Sequence, residues 1–178
     1  MTKLYFIAIY PPQSIIDEVK VFKTDLAVNY NNSKALKNEA HITLFPPFSR
    51  EIELENDILV AFQKIDTHIP PFEITLDGFG GFPNKNPVLY IKPETSEPLK
   101  DLYNRVKQQF KFGTYSFNPH MTIGYRDLTF ENYVKAMENY QSKEYKTKFL
   151  VDRILLLRHE GKWMPIAEKK LTGHSFTP

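Results

Sequence analysis

Hydrophobic residues recur along the chain with two different periods, which predicts a mixture of strands and helices. Residues 4–10 form an apolar run that stops at Pro11 and Pro12, so we expect a buried first strand. Apolar residues then recur every three or four positions over residues 13–28, the spacing of an amphipathic helix. The same patterns predict further strands at 41–48, 72–78, 88–92, 119–125, 149–157 and 163–171, and further helices at 54–65, 96–110 and 129–140.

The order of these predicted elements is duplicated. A strand, a helix, a strand, a helix and a strand occur in the first half of the chain, and the same order begins again at Val88. Residues 72–92, with a long glycine- and proline-rich loop at 78–87, and residues 149–171 each contain two strands around a turn, which is typical of antiparallel pairing. We therefore predict an α+β fold in which two halves place mostly antiparallel sheets on either side of a central cleft, with the helices outside.

Two segments in matching positions of the two halves have nearly the same residues. Segment 41–44 reads His-Ile-Thr-Leu, ahead of a strand end expected at Pro46 and Pro47, and segment 120–123 reads His-Met-Thr-Ile. Because side chains i and i+2 of a strand share a face, each segment presents an imidazole and a hydroxyl on one side and two apolar chains on the other. A lone strand histidine is more often structural than catalytic. The duplication predicts a catalytic site formed by His41, Thr43, His120 and Thr122.

Two histidines and two hydroxyls suit the opening of a cyclic phosphodiester. With an ordinary pKa of about 6.5, one imidazole can accept a proton from water while the other protonates the departing sugar oxygen. The threonine hydroxyls can donate hydrogen bonds to the non-bridging phosphate oxygens, so we expect activity without a metal ion or any other cofactor, even after chelation. In reverse, the same pair can join a 2′,3′-cyclic phosphate to a 5′-hydroxyl. The sequence does not assign which histidine is the acid.

These motifs resemble those of the 2H phosphoesterase superfamily, which contains bacterial RNA 2′,5′-ligase-like proteins and 2′,3′-cyclic nucleotide phosphodiesterases. The resemblance spans nearly the whole chain and includes the strand at 6–9 before the two prolines and the strand at 88–91. It implies a single domain over residues 1–178, built of two pseudo-symmetric lobes with both motifs in the cleft. It also implies activity on cyclic or 2′,5′-linked phosphodiesters of nucleotides or RNA ends, and thus a role in RNA processing. Members often carry an arginine shortly after the second motif, whereas here Tyr125 precedes Arg126.

Three residues are candidates for contact with the substrate. Phe45 shares a strand face with the first motif and is expected either to stack on a base or to pack in the core. Tyr90, in the strand at 88–92, is a second stacking candidate. Arg126 shares the face of the second motif but lies roughly 13 Å beyond Thr122 along an ideal strand. It is expected either to contact a distal phosphate or to be solvated.

The composition excludes several classes of protein. The 178 residues contain 23 basic and 21 acidic side chains, a net charge of +2, which does not suit a protein that coats duplex DNA. There is no cysteine, so disulfides, thiolate catalysis and cysteine-based zinc sites are excluded. No window approaches the roughly 20 apolar residues of a membrane span. We expect a cytoplasmic monomer that binds a small nucleotide or an RNA terminus with a cyclic phosphate.

Two other functions remain open at this point. One alternative is a non-catalytic module that keeps the cleft and binds nucleotides or RNA. The two histidines argue against it, because a site that only binds could use many other hydrogen-bond donors at these positions. A metalloprotein with His41 and His120 as ligands is less favoured, because no third histidine or cysteine lies nearby and the His-Glu-x-x-His spacing is absent.

Overall fold

The computed structural model of the chain describes residues 1–111 and 116–174. Within these residues, two sheets are surrounded by four α-helices, with short 3₁₀ turns at Lys34–Lys37 and Ile52–Leu54. In chain order the elements are β1 (Thr2–Ile9), α1 (Gln13–Tyr30), β2 (Ile42–Glu51), α2 (Glu55–Gln63), β3 (Phe72–Phe82), β4 (Val88–Pro93), α3 (Glu97–Gln109), β5 (Met121–Gly124), α4 (Phe130–Tyr140), β6 (Lys146–Val151), β7 (Arg153–His159) and β8 (Trp163–Lys170).

Each sheet contains four strands and is antiparallel throughout. The first has the order β2-β1-β7-β8 and the second has the order β5-β4-β3-β6. The strands that carry the two motifs, β2 and β5, are therefore edge strands, one in each sheet. The predicted α+β class with two antiparallel sheets is confirmed.

One hydrophobic core joins the two sheets and the helices. It contains the apolar residues of both motifs, of which Ile42, Met121 and Ile123 are 0% exposed. Helix α1 contributes Ile15, Val19 and Leu26, which the helical period brings to one face. No helix within the described residues is long and apolar enough to span a membrane.

Helices α3 and α4 begin where their capping residues predict. The hydroxyl of Ser96 accepts a hydrogen bond from the Leu99 backbone at 3.4 Å, and the hydroxyl of Thr129 accepts one from the Asn132 backbone at 3.2 Å. Each hydroxyl satisfies an amide of the first turn that has no partner within its helix.

The two halves repeat the same strand register around the motifs. In the first sheet Ile9, Ala8 and Ile7 lie opposite Ile42, Thr43 and Phe45. In the second sheet Ile91, Tyr90 and Leu89 lie opposite Met121, Thr122 and Gly124. In both cases the residue after the threonine, Leu44 or Ile123, is skipped by the pairing, so a bulge follows each motif. A bulge bends its strand and changes the direction of the side chains that follow.

Two predicted strand ends are wrong. Strand β2 was expected to stop at Pro46 and Pro47 but continues to Glu51, because an edge strand tolerates prolines, which cannot donate a hydrogen bond to a second neighbour. Strand β3 was expected to end at Gly78 but continues through the glycine-rich segment to Phe82. A Cβ at Gly80 would lie 2.9 Å from the ring of Tyr90, so glycine leaves room here for an aromatic side chain on the neighbouring strand.

The predicted single strand at 149–157 is two strands in different sheets. Residues up to Val151 pair with β3, whereas residues from Arg153 pair with β1 and β8. The chain crosses between the sheets at Asp152, whose backbone oxygen accepts a hydrogen bond from the Leu171 amide at 2.8 Å. Apolar residues lie on both sides of the crossing, and only Asp152 and Arg153 interrupt them, so the segment resembles one strand.

Candidate active site

Both motif histidines are held by the same local hydrogen bond. Nδ1 of His41 lies 2.9 Å from the backbone oxygen of Glu39, and Nδ1 of His120 lies 2.7 Å from that of Asn118. A carbonyl only accepts, so Nδ1 carries the hydrogen in each ring. Within the described part of the chain, the other nitrogen, Nε2, has no hydrogen bond and can exchange a proton with a ligand. The alternation of β2 and β5 supplies this arrangement, because it buries the intervening residues and leaves the histidines and threonines half-buried.

The structure brings the two motifs together. Strands β2 and β5 contact one another, and the charge of His120 disfavours protonation of His41. A cavity of about 150 Å³ has His41 of one sheet and Thr122 of the other in its wall. One residue of each motif thus lines a common cavity, although the two motifs are far apart in the chain.

The pKa of His41 is strongly lowered. Burial of the ring is the largest cause and lowers the pKa to about 4, although the hydrogen bond to Glu39 acts in the opposite direction. The charges of Lys23 and His120 lower it further. His41 is therefore neutral at pH 7, and a phosphate anion placed beside it would raise its pKa.

Aromatic side chains surround each motif histidine in a similar way. The ring of His41 lies 5.1 Å from that of Phe6 and 5.9 Å from that of Tyr10, both contributed by or next to β1. The ring of His120 lies 5.2 Å from that of Phe82 and 5.5 Å from that of Tyr90. These contacts limit the orientations of the two imidazoles and form apolar walls on which a base could stack.

The substrate-binding predictions have different outcomes. Tyr90 packs against His120 and is therefore positioned to contact a substrate bound there, and this contact stays a prediction. The stacking role of Phe45 is wrong, because this side chain is 1% exposed and its ring packs 5.5 Å from each of Phe48 and Phe110. The physical reason is the bulge at Leu44, which turns Phe45 into the core despite its parity with His41 and Thr43.

Arg126 lies just past the end of the second motif's strand. Strand β5 ends at Gly124, and Arg126 adopts a φ of 60°, a left-handed conformation that turns the chain back. Its exposed side chain lines the cavity together with His41 and Thr122. The predicted contact with a distal phosphate therefore stays a prediction that this geometry permits.

Sequence prediction missed several of the residues that line the cavity. Among them are Lys23 of α1, Asn38 of the loop before the first motif and Trp163 at the start of β8. Lys23 carried a usable signal, since it lies four residues after Val19 and three before Leu26, within the apolar stripe of the helix. Trp163 carried no such signal. Its ring packs against Phe6 near the site, with 4.5 Å between ring centroids, and this contact depends on the pairing of strands that are distant in the sequence.

Asn32 joins the loop after α1 to the loop after β5. Its side chain is 0% exposed, donates hydrogen bonds to the Tyr125 backbone oxygen at 2.7 Å and to Asp127, and accepts one from the Tyr125 amide at 3.3 Å. Asp127 in turn accepts a hydrogen bond from the Ser33 amide at 3.1 Å. This network holds the cavity wall that contains Arg126.

Replacing Asn32 with alanine is expected to lower the free energy of unfolding by about 2–3 kcal/mol, because it removes the partner of the Tyr125 amide and carbonyl and the bond to Asp127. Urea unfolding followed by circular dichroism measures the change. Asn29→Ala is the matched control, since Asn29 is exposed and, among the residues that the structure describes, its side chain bonds to Asp25 of its own helix. Equal stability of the two variants would contradict the role of Asn32.

The other three histidines do not line the cavity. His68 and His174 are exposed, and His159 lies against Trp163 with ring centroids 5.0 Å apart. Within residues 1–111 and 116–174, no three histidine, aspartate or glutamate side chains are grouped so that they could hold a metal ion.

The fold and the site define a class of protein in which two antiparallel sheets each carry one His-x-Thr strand at an edge. The family model described as the 2'-5' RNA ligase superfamily matches residues 11–163 of the chain. The chain therefore belongs to this superfamily, and its resemblance to the 2H phosphoesterases is confirmed.

Relatives and solved structures agree with this assignment. A protein of Geobacillus kaustophilus (strain HTA426) that bears the name "Putative phosphoesterase" is 29% identical over 163 residues, which cover 89% of this chain and 91% of the relative. One of the same name from Geobacillus sp. (strain WCH70) is 30% identical over 165 residues, with the same coverage. Escherichia coli LigT complexed with 3'-AMP is 20% identical with a TM-score of 0.67, covering 97% of this chain and 99% of LigT. The protein TT0787 of Thermus thermophilus is 18% identical with a TM-score of 0.69, covering 97% of this chain and 100% of the other. The two solved structures share the fold.

Proposed function

We propose that the protein is a metal-independent phosphoesterase that opens cyclic or 2′,5′-linked phosphodiesters of nucleotides or RNA ends. The observation that carries this proposal is the pair of imidazoles that come from opposite sheets, each with Nδ1 bonded to a backbone oxygen and Nε2 left for proton transfer. A binding site needs donors and acceptors of any kind. General acid–base catalysis needs two groups that can exchange protons near pH 7, and histidine is such a group.

In the proposed reaction the oxygen of a water molecule attacks the phosphorus of a 2′,3′-cyclic phosphate. One imidazole accepts the proton of this water at Nε2, and the bond from phosphorus to one sugar oxygen breaks. The other imidazole, protonated at the start, donates its Nε2 proton to that oxygen. The hydroxyls of Thr43 and Thr122 donate hydrogen bonds to the non-bridging oxygens, where negative charge grows in the transition state. With a 5′-hydroxyl in place of water, the same two proton transfers join two RNA ends: the 5′-oxygen bonds to phosphorus as one sugar oxygen of the cyclic phosphate leaves.

The relatives support this proposal. Two of them bear the name of a phosphoesterase, and LigT has been solved with 3'-AMP, a nucleoside monophosphate of the kind that the proposed reaction would release. The aromatic walls beside the two histidines provide surfaces for a nucleobase. We propose a nucleotide or an RNA terminus as the ligand and the cytoplasm, where such ends arise, as the location.

The purified protein is expected to turn over at least one of three substrate kinds: a nucleoside 2′,3′-cyclic phosphate, a 2′,5′-linked dinucleotide, or an RNA with a cyclic phosphate end. Rates are expected to be unchanged after exhaustive chelation, because two imidazoles and two hydroxyls supply the chemistry. Chromatography of the products gives both the rate and the choice between 2′- and 3′-phosphate. Binding without turnover of any substrate would favour a nucleotide-binding module, and activity that chelation abolishes and zinc restores would favour a metalloenzyme.

A further inference from the structure

Lys23 is a buried cation beside the paired motifs. Its side chain is 4% exposed, and Nζ donates a hydrogen bond to the backbone oxygen of Asn38 at 2.6 Å. Within the described residues, no carboxylate forms an ion pair with it. An ammonium group has three hydrogens to donate, so the single bond to Asn38 leaves two for a ligand.

The cavity that Lys23 lines adjoins the reaction centre. Its wall contains one residue of each motif, His41 and Thr122, whereas Thr43 and His120 do not line it. A phosphodiester bound by the motif side chains would therefore lie next to this cavity. At about 150 Å³ the cavity is well below the roughly 300–1,000 Å³ of pockets that enclose a whole drug-sized ligand. It suits one substituent of the substrate.

The charges around the cavity favour an anion. Lys23 and Arg126 contribute two cations to its wall, against one carboxylate, the exposed Glu39. Arginine and lysine hydrogens form charge-assisted bonds to phosphate oxygens, which are roughly twice as strong as neutral hydrogen bonds. The charge of Glu39 offsets only part of the cost of burying Lys23, and a bound anion would offset more of it.

We propose that this cavity binds a second phosphate group of the substrate, so that the enzyme prefers a phosphodiester that carries a further phosphate close to the bond it cleaves. This inference rests on the proposed function and narrows its substrate class. According to this inference, the preferred substrate is an RNA or nucleotide end with an adjacent phosphate, and a simple nucleoside cyclic phosphate binds less tightly. Burial lowers the pKa of Lys23 to about 8, and the approach of a phosphate would raise it again, which is the direction expected of an anion-binding lysine.

The test uses two product-like probes that differ by one phosphate, uridine 3′-phosphate and uridine 3′,5′-bisphosphate. Isothermal titration calorimetry is expected to show roughly 10- to 100-fold tighter binding of the bisphosphate to the wild-type protein, the range for hydrogen bonds to charged groups. Lys23→Met is expected to remove most of this preference, measured as the ratio of the two affinities within each protein. Lys20→Met is the matched control, because Lys20 is exposed on the same helix, and it should keep the preference.

Stability separates a binding role from a structural one. Removing an unpaired buried charge should leave the Tm of Lys23→Met unchanged or higher, whereas a lysine that only supports the fold would lower the Tm when replaced. If Lys23→Met does not fold, Lys23→Gln keeps a polar end without the charge and gives the same comparison.

Two results would overturn the inference. Equal binding of both probes to the wild-type protein would show that no second phosphate is recognised. An equal loss of affinity for both probes in the Lys23 variants would place the lysine on the cleaved phosphate instead. The binding data do not depend on turnover, so a protein that prefers the bisphosphate but hydrolyses nothing would refute the proposed function and leave the phosphate site standing.

Discussion

Replacing His41 or His120 with alanine is expected to lower kcat for a 2′,3′-cyclic nucleotide by about 10²- to 10⁴-fold, the usual contribution of one positioned proton transfer. Binding should change little, since each variant keeps both threonines and the aromatic walls. Steady-state kinetics give kcat, and calorimetry with a nucleoside monophosphate gives affinity. His68→Ala is the control, because His68 is exposed and lies away from the motifs. Loss of affinity with kcat kept would contradict catalysis by this pair.

The same variants assign the two roles when the leaving group is changed. A p-nitrophenolate leaves without protonation, so a p-nitrophenyl phosphodiester needs the base but not the acid. One of the two alanine variants, and not both, is therefore expected to recover most of its activity on this substrate, and that histidine is the acid. The low pKa of His41 describes the protein alone, and a phosphate anion raises it, so it does not settle the roles. Equal losses on both substrates would argue against separate acid and base roles.

The motif pair can be predicted from the sequence because it depends only on local periodicity. In each motif the apolar residues are buried and the histidine and threonine lie on the other face, as a period of two requires. The histidine hydrogen bonds are local too, since each carbonyl lies two residues before its imidazole. The duplication then indicates that two local features belong to one site.

Features that depend on strand pairing could not be predicted from the sequence. Phe45 has the parity of a cleft residue, but the bulge at Leu44 reverses its direction, and nothing in the local pattern marks that bulge. The crossing between the sheets at Asp152 was not predicted for a similar reason, because apolar residues lie on both sides of it. Which sheet each one joins depends on distant partners.

Lys23 is an intermediate case. A lysine within an apolar helical stripe is visible in the sequence, and a buried charge often marks a functional site. Long side chains usually extend past an apolar face to reach water, which makes the pattern ambiguous. The structure resolves this ambiguity, because the Asn38 carbonyl holds the ammonium group under the loop before the first motif.

The burial of His41 also predicts that the protein loses stability as the pH falls. Its pKa is about 4 in the folded protein and about 6.5 in an unfolded chain, so between these values the unfolded state binds more protons. The stability that His41 contributes is present above pH 6.5 and is lost as the pH falls towards 4. From pH 7 to pH 5 the expected loss from this residue is about 2 kcal/mol.

Urea unfolding at pH 7 and pH 5 gives the loss of stability in each variant. Titration of the carboxylates contributes to this loss equally in all variants, so the difference between variants isolates the contribution of His41. His41→Asn cannot take up the proton, so its stability should fall by about 2 kcal/mol less than that of the wild-type protein over the same interval. His68→Asn removes an exposed histidine and should keep the wild-type difference. If His41→Asn and the wild-type protein lose the same amount, the ring of His41 is protonated as readily in the folded chain as in the unfolded one. A cleft that buries this imidazole would then be the wrong description of the site.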